Sequence, residues 1–428
     1  WSSDVCSSDL KLGVKFNMSG YDDVDLRNFG GQKKKRTAFA QSDTGKQIMT
    51  AMIDAVRRKE AFGMVERFSH HSFLTLRLCG NICCGCVIRD EYSQETVELP
   101  GDAVIVATGG MHGLFGNTTG SLSNTGEVTA ELFRLGVPLA NGEMIQYHPT
   151  TVKCGGKRML ISEAARGEGG RLFAMKDGKQ WYFMEEKYPE LGNLMPRDIT
   201  AREIWKVSHE SEVFLDMTEI SEEIISNKLS GLADDCMTYL HKDIRKEPVS
   251  VLPGIHYFMG GILVDEQHRT PIQNLYAAGE CCAQYHGANR LGGNSLLGAL
   301  YGGRVAAKSA CEQADVVDLS CATQIDFPPA SQISEIKQLN KVMQETMGVV
   351  RNENTLLNGI QTVQALTGNL PLLGMAVLKS ALARKESRGA HWREDYPKSN
   401  DNDYLKTTVA RFDGKQIQIS FVPVPERR

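Results

Sequence analysis

The chain has 428 residues, of which 41% are hydrophobic and 23% are charged. These fractions exclude a disordered, collagen-like or coiled-coil protein and are typical of a globular one. The 48 basic and 52 acidic residues give a net charge of −4, which argues against nucleic-acid binding because nucleic-acid-binding proteins usually carry a basic excess. At roughly 150 residues per domain, the length predicts about three structural units.

No run approaches 18 apolar residues, and residues 1–10 lack the apolar region of a signal peptide. The 11 cysteines are expected to be free thiols of a reducing compartment, because a chain of this size folds without disulfides. Cys83 and Cys86 have C-x-x-C spacing, but no second Cys or His pair follows at the distance of a zinc site. We therefore expect thiols buried in strands and no metal site.

Residues 1–10 (WSSDVCSSDL) have no periodicity, and we interpret them as foreign to the protein, whose own sequence then begins near Lys11. Residues 44–60 have helical periodicity, with Ile48, Met52, Ile53 and Val56 on one face. A strand meander is predicted over 65–100, including a hairpin that turns at residues 80–81. The apolar run 103–107 (AVIVA) predicts a strand buried on both faces, and a helix is expected over 126–135.

From about residue 150 to 250 the charged residues are denser and the apolar runs shorter, which indicates an inserted domain. Strand patterns return at 261–265 and 274–278. A helix is predicted from Ser295, its expected N-cap, to residue 313. Residues 322–333 have the composition of a linker, residues 334–386 are predicted to be helical, and the last 40 end in short strands.

Two predicted strands end in glycine turns, at residues 107–110 (ATGG) and 277–280 (AAGE). Ligands of open α/β sheets bind at the carboxyl ends of strands, where turns offer backbone N–H groups. Residues 287–295 (GANRLGGNS) add three glycines and an arginine before a helix start, which suits a pyrophosphate or a flavin carbonyl. No G-x-G-x-x-G follows an N-terminal strand, so either this is not a dinucleotide-binding enzyme or the first βαβ unit is absent from this chain. The foreign-looking start favours the second alternative.

The motifs occur in an order that resembles the flavoprotein subunit family of succinate dehydrogenase and fumarate reductase and, more distantly, L-aspartate oxidase. The resemblance covers residues 11–420. The matching motifs are FGG (29–31), RTAFA (36–40), ATGG (107–110), QYHPT (146–150), SEAARGEGG (162–170), PRD (196–198), HYFMGG (256–261), GANRLGGNSL (287–296) and ARKESRGAHWREDYP (383–397).

The resemblance implies an α/β fold with a Rossmann-like FAD-binding domain that lacks its first βαβ unit and comprises residues 11–145 and 251–320. An α+β capping domain is expected at 146–250, and a C-terminal helical domain with a tail at 330–428. The implied cofactor is FAD. The segment that carries a covalent flavin link in many members is not in this chain, so the sequence does not decide whether the flavin is covalent.

The resemblance also implies roles for single residues. Arg197 would donate a proton to the substrate carbon while flavin N5 delivers a hydride, and Glu163 and Arg166 would relay protons to it. Because the pKa of arginine lies above about 12, such an acid works only if its proton is replaced promptly. The residues implied to hold the substrate carboxylates are His148, Ser162, His256 and Arg290. The alternatives are structural histidines and an Arg197 that starts a helix and pairs with Asp198.

For the cofactor, the resemblance implies that Glu280 binds a ribose and that Ser295 and Leu296 lie beside the isoalloxazine. Glu127 stands where the family usually has Asp. The full predicted cofactor set is Gly109, Gly110, Glu127, Glu280, Ser295 and Leu296. From its residues alone, the block 383–397 is interpreted as a helix end and a charged loop on a solvated face. By resemblance, it packs against the flavin domain.

The first functional hypothesis is a flavoprotein subunit of a respiratory complex that interconverts succinate and fumarate. Its partners would be an iron–sulfur subunit and, through it, a quinone-reactive membrane anchor, on the cytoplasmic face of the inner membrane. The chain has no C-x₂-C-x₂-C run, so the clusters would belong to the partner. The alternatives are an L-aspartate oxidase and a non-catalytic fragment without flavin. The direction of catalysis depends on the flavin potential and the quinone, and the sequence does not reveal it.

Overall fold

The computed structural model describes residues 12–20, 23–32, 34–41, 43–121, 123–283, 285–316, 325, 327 and 332–424. The segment predicted to be foreign (1–10) and most of the predicted linker (322–333) lie outside the described residues. The chain divides into two compact units. The first contains the residues up to Phe68, Tyr147–Gly254 and Leu291–Leu297, and the second contains Ser69–Gln146, Ile255–Arg290 and the residues from Gly298 onward.

The first unit is a mixture of short helices and antiparallel strands. Its described helices are Thr44–Ala61, Glu163–Gly167, Phe183–Lys187, Arg197–Val207, Glu222–Lys228 and Ser230–Asp235. Its strands are Leu26–Arg27, Thr37–Ala38, Lys157–Leu160, Arg171–Lys176, Lys179–Trp181, Val213–Asp216 and Val249–Ser250. Three elements each contain one of the five boundaries between the units. They are the strands Ile145–Cys154 and Leu252–Phe258 and the helix Asn294–Gln313.

The core of the first unit forms on a four-stranded antiparallel sheet with the strand order 179–181, 171–176, 213–216, 249–250. Leu172 and Leu215 face each other across the central strand pair, and neither is exposed to solvent. Ile204, from the helix Arg197–Val207, belongs to the same buried cluster. The helix that begins at Arg197 is therefore held against a packed sheet, and this fixes the position of its first residue.

The second unit combines small sheets with a group of helices. Its described strands are His71–Cys79, Ile82–Asp90, Thr96–Pro100, Val104–Val106, Leu139–Ala140, Gly261–Ile262, Leu275–Ala277, Lys406–Phe412 and Ile417–Pro423. Its helices are Glu127–Arg134, Ile333–Thr346, Glu353–Val363, Asn369–Ala383 and Asp401–Tyr404. The first three strands form the predicted antiparallel meander, with its hairpin between Cys79 and Ile82.

The strands Val104–Val106 and Leu275–Ala277 pair in parallel and in register. The prediction that the first of them is buried on both faces is wrong: Val106 is buried, whereas Ile105 is 41% exposed. Among the described residues this sheet has only two strands, and Ile105 is exposed although its paired residue Tyr276 is buried. Both strands lead directly into the glycine turns that the sequence singles out.

The predicted helices over 44–60 and 126–135 are confirmed as Thr44–Ala61 and Glu127–Arg134. In the first of these, Ile48 is buried, while Met52, Ile53 and Val56 are 37–49% exposed. The helix predicted to start with Ser295 as its N-cap begins at Asn294, so Ser295 lies inside its first turn. None of the described helices is long and apolar enough to cross a bilayer.

The block 383–397 does not form the solvated face that its charges suggest. Arg384, Glu386, His391 and Arg393 are each 1% exposed or less. Arg384 donates to Glu143 and to Glu386 at 2.7 and 2.8 Å. The interpretation is wrong because the carboxylate that compensates Arg384 comes from a residue 241 positions away in the sequence, which no local pattern reveals.

Candidate active site

In the first unit, three of the predicted residues form one hydrogen-bonded cluster. Glu163 accepts from Arg166 Nη2 at 3.0 Å through Oε1. Through Oε2 it accepts from Arg197 Nε at 3.0 Å and Nη2 at 2.7 Å. The three-residue spacing between Glu163 and Arg166 puts both on one side of the short helix Glu163–Gly167. Glu163 is therefore a bridge with one guanidinium on each oxygen.

This cluster is almost completely removed from water. The side chains of Glu163 and Arg166 are 1% and 0% exposed, and that of Arg197 is 7% exposed. Burial lowers the pKa of Arg166, the nearby Arg197 lowers it further, and Glu163 opposes both effects. Two buried guanidiniums share one carboxylate, so the cluster carries an excess positive charge that favours release of a proton or binding of an anion.

Two glycines allow the backbone to approach the Glu163 carboxylate. A Cβ on Gly30 would lie 2.5 Å from Oε1, and a Cβ on Gly292 would lie 2.5 Å from Oε2 and 2.6 Å from Phe29 Cβ. Real Cβ atoms do not approach other atoms this closely. Both glycines belong to motifs that the sequence singles out, yet their role as walls of the carboxylate site was not predicted.

The remaining predicted substrate residues of this unit are His148 and Ser162. His148 is 1% exposed, and its Nδ1 lies 3.0 Å from the carbonyl oxygen of Thr150. Ser162 is the N-cap of the helix Glu163–Gly167, and its Oγ accepts from the N–H of Ala164 at 3.2 Å. This bond uses a lone pair of Oγ, which leaves the hydroxyl hydrogen able to donate to a carboxylate.

The second unit holds the other two predicted substrate residues. His256 Nδ1 lies 2.8 Å from Thr119 Oγ1, a partner that the sequence analysis did not predict. Arg290 is 3% exposed, and its guanidinium lies over the ring of Tyr257, 4.4 Å from the centroid. The Arg290 carbonyl accepts from Gln146 Nε2 at 2.7 Å. A buried arginine stacked on an aromatic ring is well suited to grip a planar carboxylate.

The same unit contains a place for a nucleotide at the ends of the parallel strands. Ala107 and Thr108 are exposed at the end of the first strand, and Gly109 has a φ of +72°. A Cβ on Gly110 would lie 2.7 Å from Glu280 Oε1, so only glycine lets this turn lie against the carboxylate. Glu280 accepts from the N–H of Phe258 at 3.0 Å. Burial raises the pKa of Glu280 to about 7, against the effects of that bond and of Arg290.

The arrangement of Gly109, Gly110 and Glu280 fits FAD, because adjacent strand ends, a glycine turn and an inward carboxylate can receive a ribose and its phosphate. Glu127 is exposed at the start of its helix and lies 3.5 Å from Thr125 Oγ1. Ser295 and Leu296 are partly exposed in the first turn of a 20-residue helix, whose positive end suits an anionic or carbonyl group. Within the described residues, no group of His, Cys, Asp and Glu could hold a metal ion.

The structure thus brings Arg197, Glu163 and Arg166 into direct contact in one unit, and it places Glu280, Tyr257 and Arg290 close enough to interact electrostatically in the other. Eight of the described cysteines are free thiols, and Cys83 and Cys84 among them are buried. Cys79 is disulfide-bonded, so the expectation that all the cysteines are free thiols is wrong at this position. Burial raises the pKa of Cys83 to about 12, which makes this thiol unreactive.

Comparisons with known proteins identify the family to which the chain is similar. A family model described as an FAD binding domain matches residues 8–296, and one described as the fumarate reductase flavoprotein C-terminal region matches residues 366–427. The predicted α/β FAD-binding architecture with a C-terminal helical part is confirmed by these matches.

Three named proteins illustrate the similarity. The chain is 35% identical to the succinate dehydrogenase flavoprotein subunit of Bacillus subtilis, covering 98% of this chain and 82% of that protein. It is 32% identical to the 8-methylmenaquinol:fumarate reductase flavoprotein subunit of Wolinella succinogenes, covering 97% and 77%. Among solved structures, E. coli quinol fumarate reductase matches with a TM-score of 0.88 and 26% identity, covering 99% of this chain and 82% of that one.

Proposed function

The chain belongs to the flavoprotein family of succinate dehydrogenase and fumarate reductase and is an FAD-dependent oxidoreductase, and we propose that its reaction is the interconversion of succinate and fumarate. The observation that carries this proposal is the buried cluster in which Glu163 bridges Arg166 and Arg197. A reaction that adds or removes a proton at an apolar carbon needs such a path, because water cannot reach the reacting atom freely.

In this proposal, Arg197 holds the proton that is given to the substrate carbon during fumarate reduction. Bound FAD supplies hydride chemistry at its N5. Glu163 then passes a proton from Arg166 to Arg197, and Arg166 takes its replacement proton from solvent. The reverse direction uses the same residues, with Arg197 accepting the proton from succinate. The excess positive charge of the cluster stabilises the negative charge that develops on the substrate when hydride adds to fumarate.

The substrate carboxylates are assigned to His148, Ser162, His256 and Arg290. Arg290 can bind one carboxylate bidentately, and its stacking on Tyr257 fixes the plane of the guanidinium. Gly109, Gly110, Glu127, Glu280, Ser295 and Leu296 are assigned to FAD. We also propose a capping domain at 146–250, an FAD-binding domain at 11–145 and 251–320, and a helical domain with a tail at 330–428.

Both relatives described above, from Bacillus subtilis and Wolinella succinogenes, are named as flavoprotein subunits, which supports a partner for this chain. We assign this role to an iron–sulfur subunit that takes electrons from the flavin, since no described group of Cys and His in this chain could hold a cluster. Attachment at the cytoplasmic face of the inner membrane would then occur through a quinone-reactive anchor bound to that partner.

The test is an assay of the purified, yellow protein for two activities. We expect fumarate-dependent oxidation of reduced viologen and no hydrogen peroxide with L-aspartate. Peroxide formation from L-aspartate without fumarate turnover would replace the proposal with an L-aspartate oxidase. A protein that binds no FAD and shows neither activity would contradict any catalytic role for the chain.

A further inference from the structure

A third group contacts the relay at Arg166, through the guanidinium nitrogen that does not bond to Glu163. Arg166 Nη1 donates to the backbone carbonyl of Asn193 at 2.6 Å. The Nε atom of Arg166 is buried without a hydrogen-bond partner among the described residues. Besides Glu163, the carbonyl of Asn193 is therefore the contact that fixes the orientation of the Arg166 guanidinium.

The side chain of Asn193 holds this carbonyl in place. Its Oδ1 accepts from the N–H of Leu172 at 3.0 Å, and its Nδ2 donates to Glu185 Oε1 at 3.0 Å. Leu172 belongs to the central strand of the packed sheet and is fully buried. One amide thus ties the short 3₁₀ turn Gly192–Leu194 to a rigid strand on one side and to Glu185 on the other.

Glu185 is itself fixed by a bidentate pair. Arg171 donates to it at 2.9 Å through Nε and at 2.7 Å through Nη2, and its guanidinium lies 3.7 Å from the ring centroid of Tyr182. The hydrogen bonds from Arg171 hold the pKa of Glu185 below its usual value, so it remains a carboxylate through the neutral range. The side chains of Arg171 and Glu185 are both about one third exposed. This pair is therefore the solvent-exposed end of the series of contacts that leads through Asn193 to Arg166.

The turn that carries Asn193 also leads into the proposed acid. Only Met195 and Pro196 separate the turn Gly192–Leu194 from Arg197, the first residue of its helix. The N–H of Gly31 donates to the carbonyl of Leu194 at 3.0 Å, which anchors the same segment to the glycine pair at 30–31. A displacement of Asn193 would therefore move both ends of the relay, Arg166 through its hydrogen bond and Arg197 through the chain.

We propose that Asn193, held by the Arg171–Glu185 pair, is a positioning residue that aligns Arg166 and Arg197 on Glu163 for proton transfer. This inference rests on the proposed function. Asn193 and Glu185 touch neither substrate nor cofactor in it. They act by holding a carbonyl and a chain segment, and a misplacement of about 1 Å in such a site can cost about 100-fold in rate.

The test compares the full-length, flavin-loaded protein with Asn193→Ala, Asn193→Asp and the double variant Asn193→Asp with Glu185→Gln. Asn193→Ala removes both side-chain bonds. Asn193→Asp replaces the donating amide by a carboxylate that repels Glu185. In the double variant, the amide of the glutamine introduced by Glu185→Gln can donate to that new carboxylate, which restores the hydrogen bond in the opposite direction. Glu219→Gln is the matched control, because Glu219 lies 3.8 Å from Arg171 but is 77% exposed.

We expect kcat for fumarate reduction to fall about 10- to 100-fold in both single variants, with KM for fumarate and flavin content unchanged. The solvent deuterium isotope effect on kcat should rise, because proton delivery becomes slower than the other steps. The double variant should recover most of the loss caused by Asn193→Asp, and Glu219→Gln should behave like wild type. A purely structural role would change flavin content or melting temperature without changing the isotope effect.

Single variants with wild-type kcat and isotope effect would overturn the inference while leaving the proposed function intact. A crystal structure of Asn193→Ala decides the matter independently of activity. We expect Arg166 Nη1 to leave the carbonyl at position 193, and an unchanged contact at 2.6 Å would also overturn the inference. A wild-type protein that reduces no fumarate would instead contradict the proposed function.

Discussion

At the scale of single residues, the account depends on Glu163, which is shared by two arginines. In Glu163→Gln, the amide can still accept from one guanidinium, but its NH₂ group faces the other and cannot carry a proton across. We expect kcat for fumarate reduction to fall by about 100-fold or more, with a smaller change in KM, because general acid–base steps contribute on the order of 10²–10⁴. Steady-state kinetics measure this. The control is Glu222→Gln, because Glu222 is 67% exposed in an ion pair with Arg245. This variant should keep the wild-type kcat.

Gly292 provides a second test at this scale. It has no side chain to react, and its role is to leave room for the Glu163 carboxylate. In Gly292→Ala, the new methyl group would lie 2.5 Å from Glu163 Oε2, so the carboxylate or the backbone must move. We expect a marked loss of kcat with FAD retained. Gly156→Ala has no atom within 4 Å of the added Cβ and should leave kcat unchanged. Equal activity of the two variants would contradict the tight packing around Glu163.

The residues proposed for catalysis could be selected from the sequence because each lies in a distinctive ordered motif. The contacts between them could not, since Glu163 and Arg197 are 34 positions apart and only folding brings them together. Asn193 escaped prediction for a different reason: its contact with Arg166 is a backbone carbonyl, which every residue has, and its side chain bonds to residues that only folding brings near. Ser162 was expected to bind substrate, and its role as a helix cap was not foreseen, although Ser before an Ala-rich turn is a common cap.

At the scale of elements, the block 383–397 is the feature for which the residue pattern gave a wrong prediction, because its charged side chains are buried. Arg384 lies in a network with Glu143, Glu386 and Thr408, and its side chain is 1% exposed. Removal of one partner leaves an uncompensated buried charge, which typically costs about 3–5 kcal/mol. We therefore expect Arg384→Ala to lower the free energy of unfolding by about that amount in denaturant titrations.

The matched control for this prediction is Lys308→Ala, which breaks an exposed pair with Glu312 one helical turn away. Such surface pairs contribute about 0–1 kcal/mol. If Arg384→Ala and Lys308→Ala changed the free energy of unfolding equally, the block would be a solvated face after all. The regular elements, in contrast, were predictable: the hairpin 71–90 and the helices Thr44–Ala61 and Glu127–Arg134 follow directly from their periodicity.

At the scale of the whole molecule, stability should depend on pH through buried histidines. His391 accepts from Arg351 at Nδ1 (2.9 Å), and its Nε2 lies 3.2 Å from the carbonyl of Arg384, which fixes a neutral ring. Burial holds the pKa of His391 well below 6.5, and the charges of Arg351, Arg384 and Arg393 add to this. Burial lowers the pKa of His286 to about 3, and Arg290 adds to the effect.

Because these pKa values are lowered in the folded state, the unfolded chain takes up protons first as the pH falls. Stability should therefore be unaffected by these groups above about pH 6.5 and decline below it, by up to about 1.4 kcal/mol per pH unit for each histidine. His391→Gln keeps a neutral donor and acceptor and should flatten this decline between pH 6 and 4. The exposed His70 serves as the control, and an identical acid dependence in His391→Gln and His70→Gln would refute the assignment.

The most direct test of the central claim is the turnover of Arg197→Gln with fumarate. FAD absorbance and binding of succinate, followed by perturbation of the flavin spectrum, should match wild type, because the proton donor does not hold either ligand. We predict that kcat falls at least about 100-fold, whereas Arg245→Gln, at a 41% exposed arginine of the same unit, stays at the wild-type rate. Fumarate reduction by Arg197→Gln within tenfold of wild type would contradict the assignment of Arg197 as the acid.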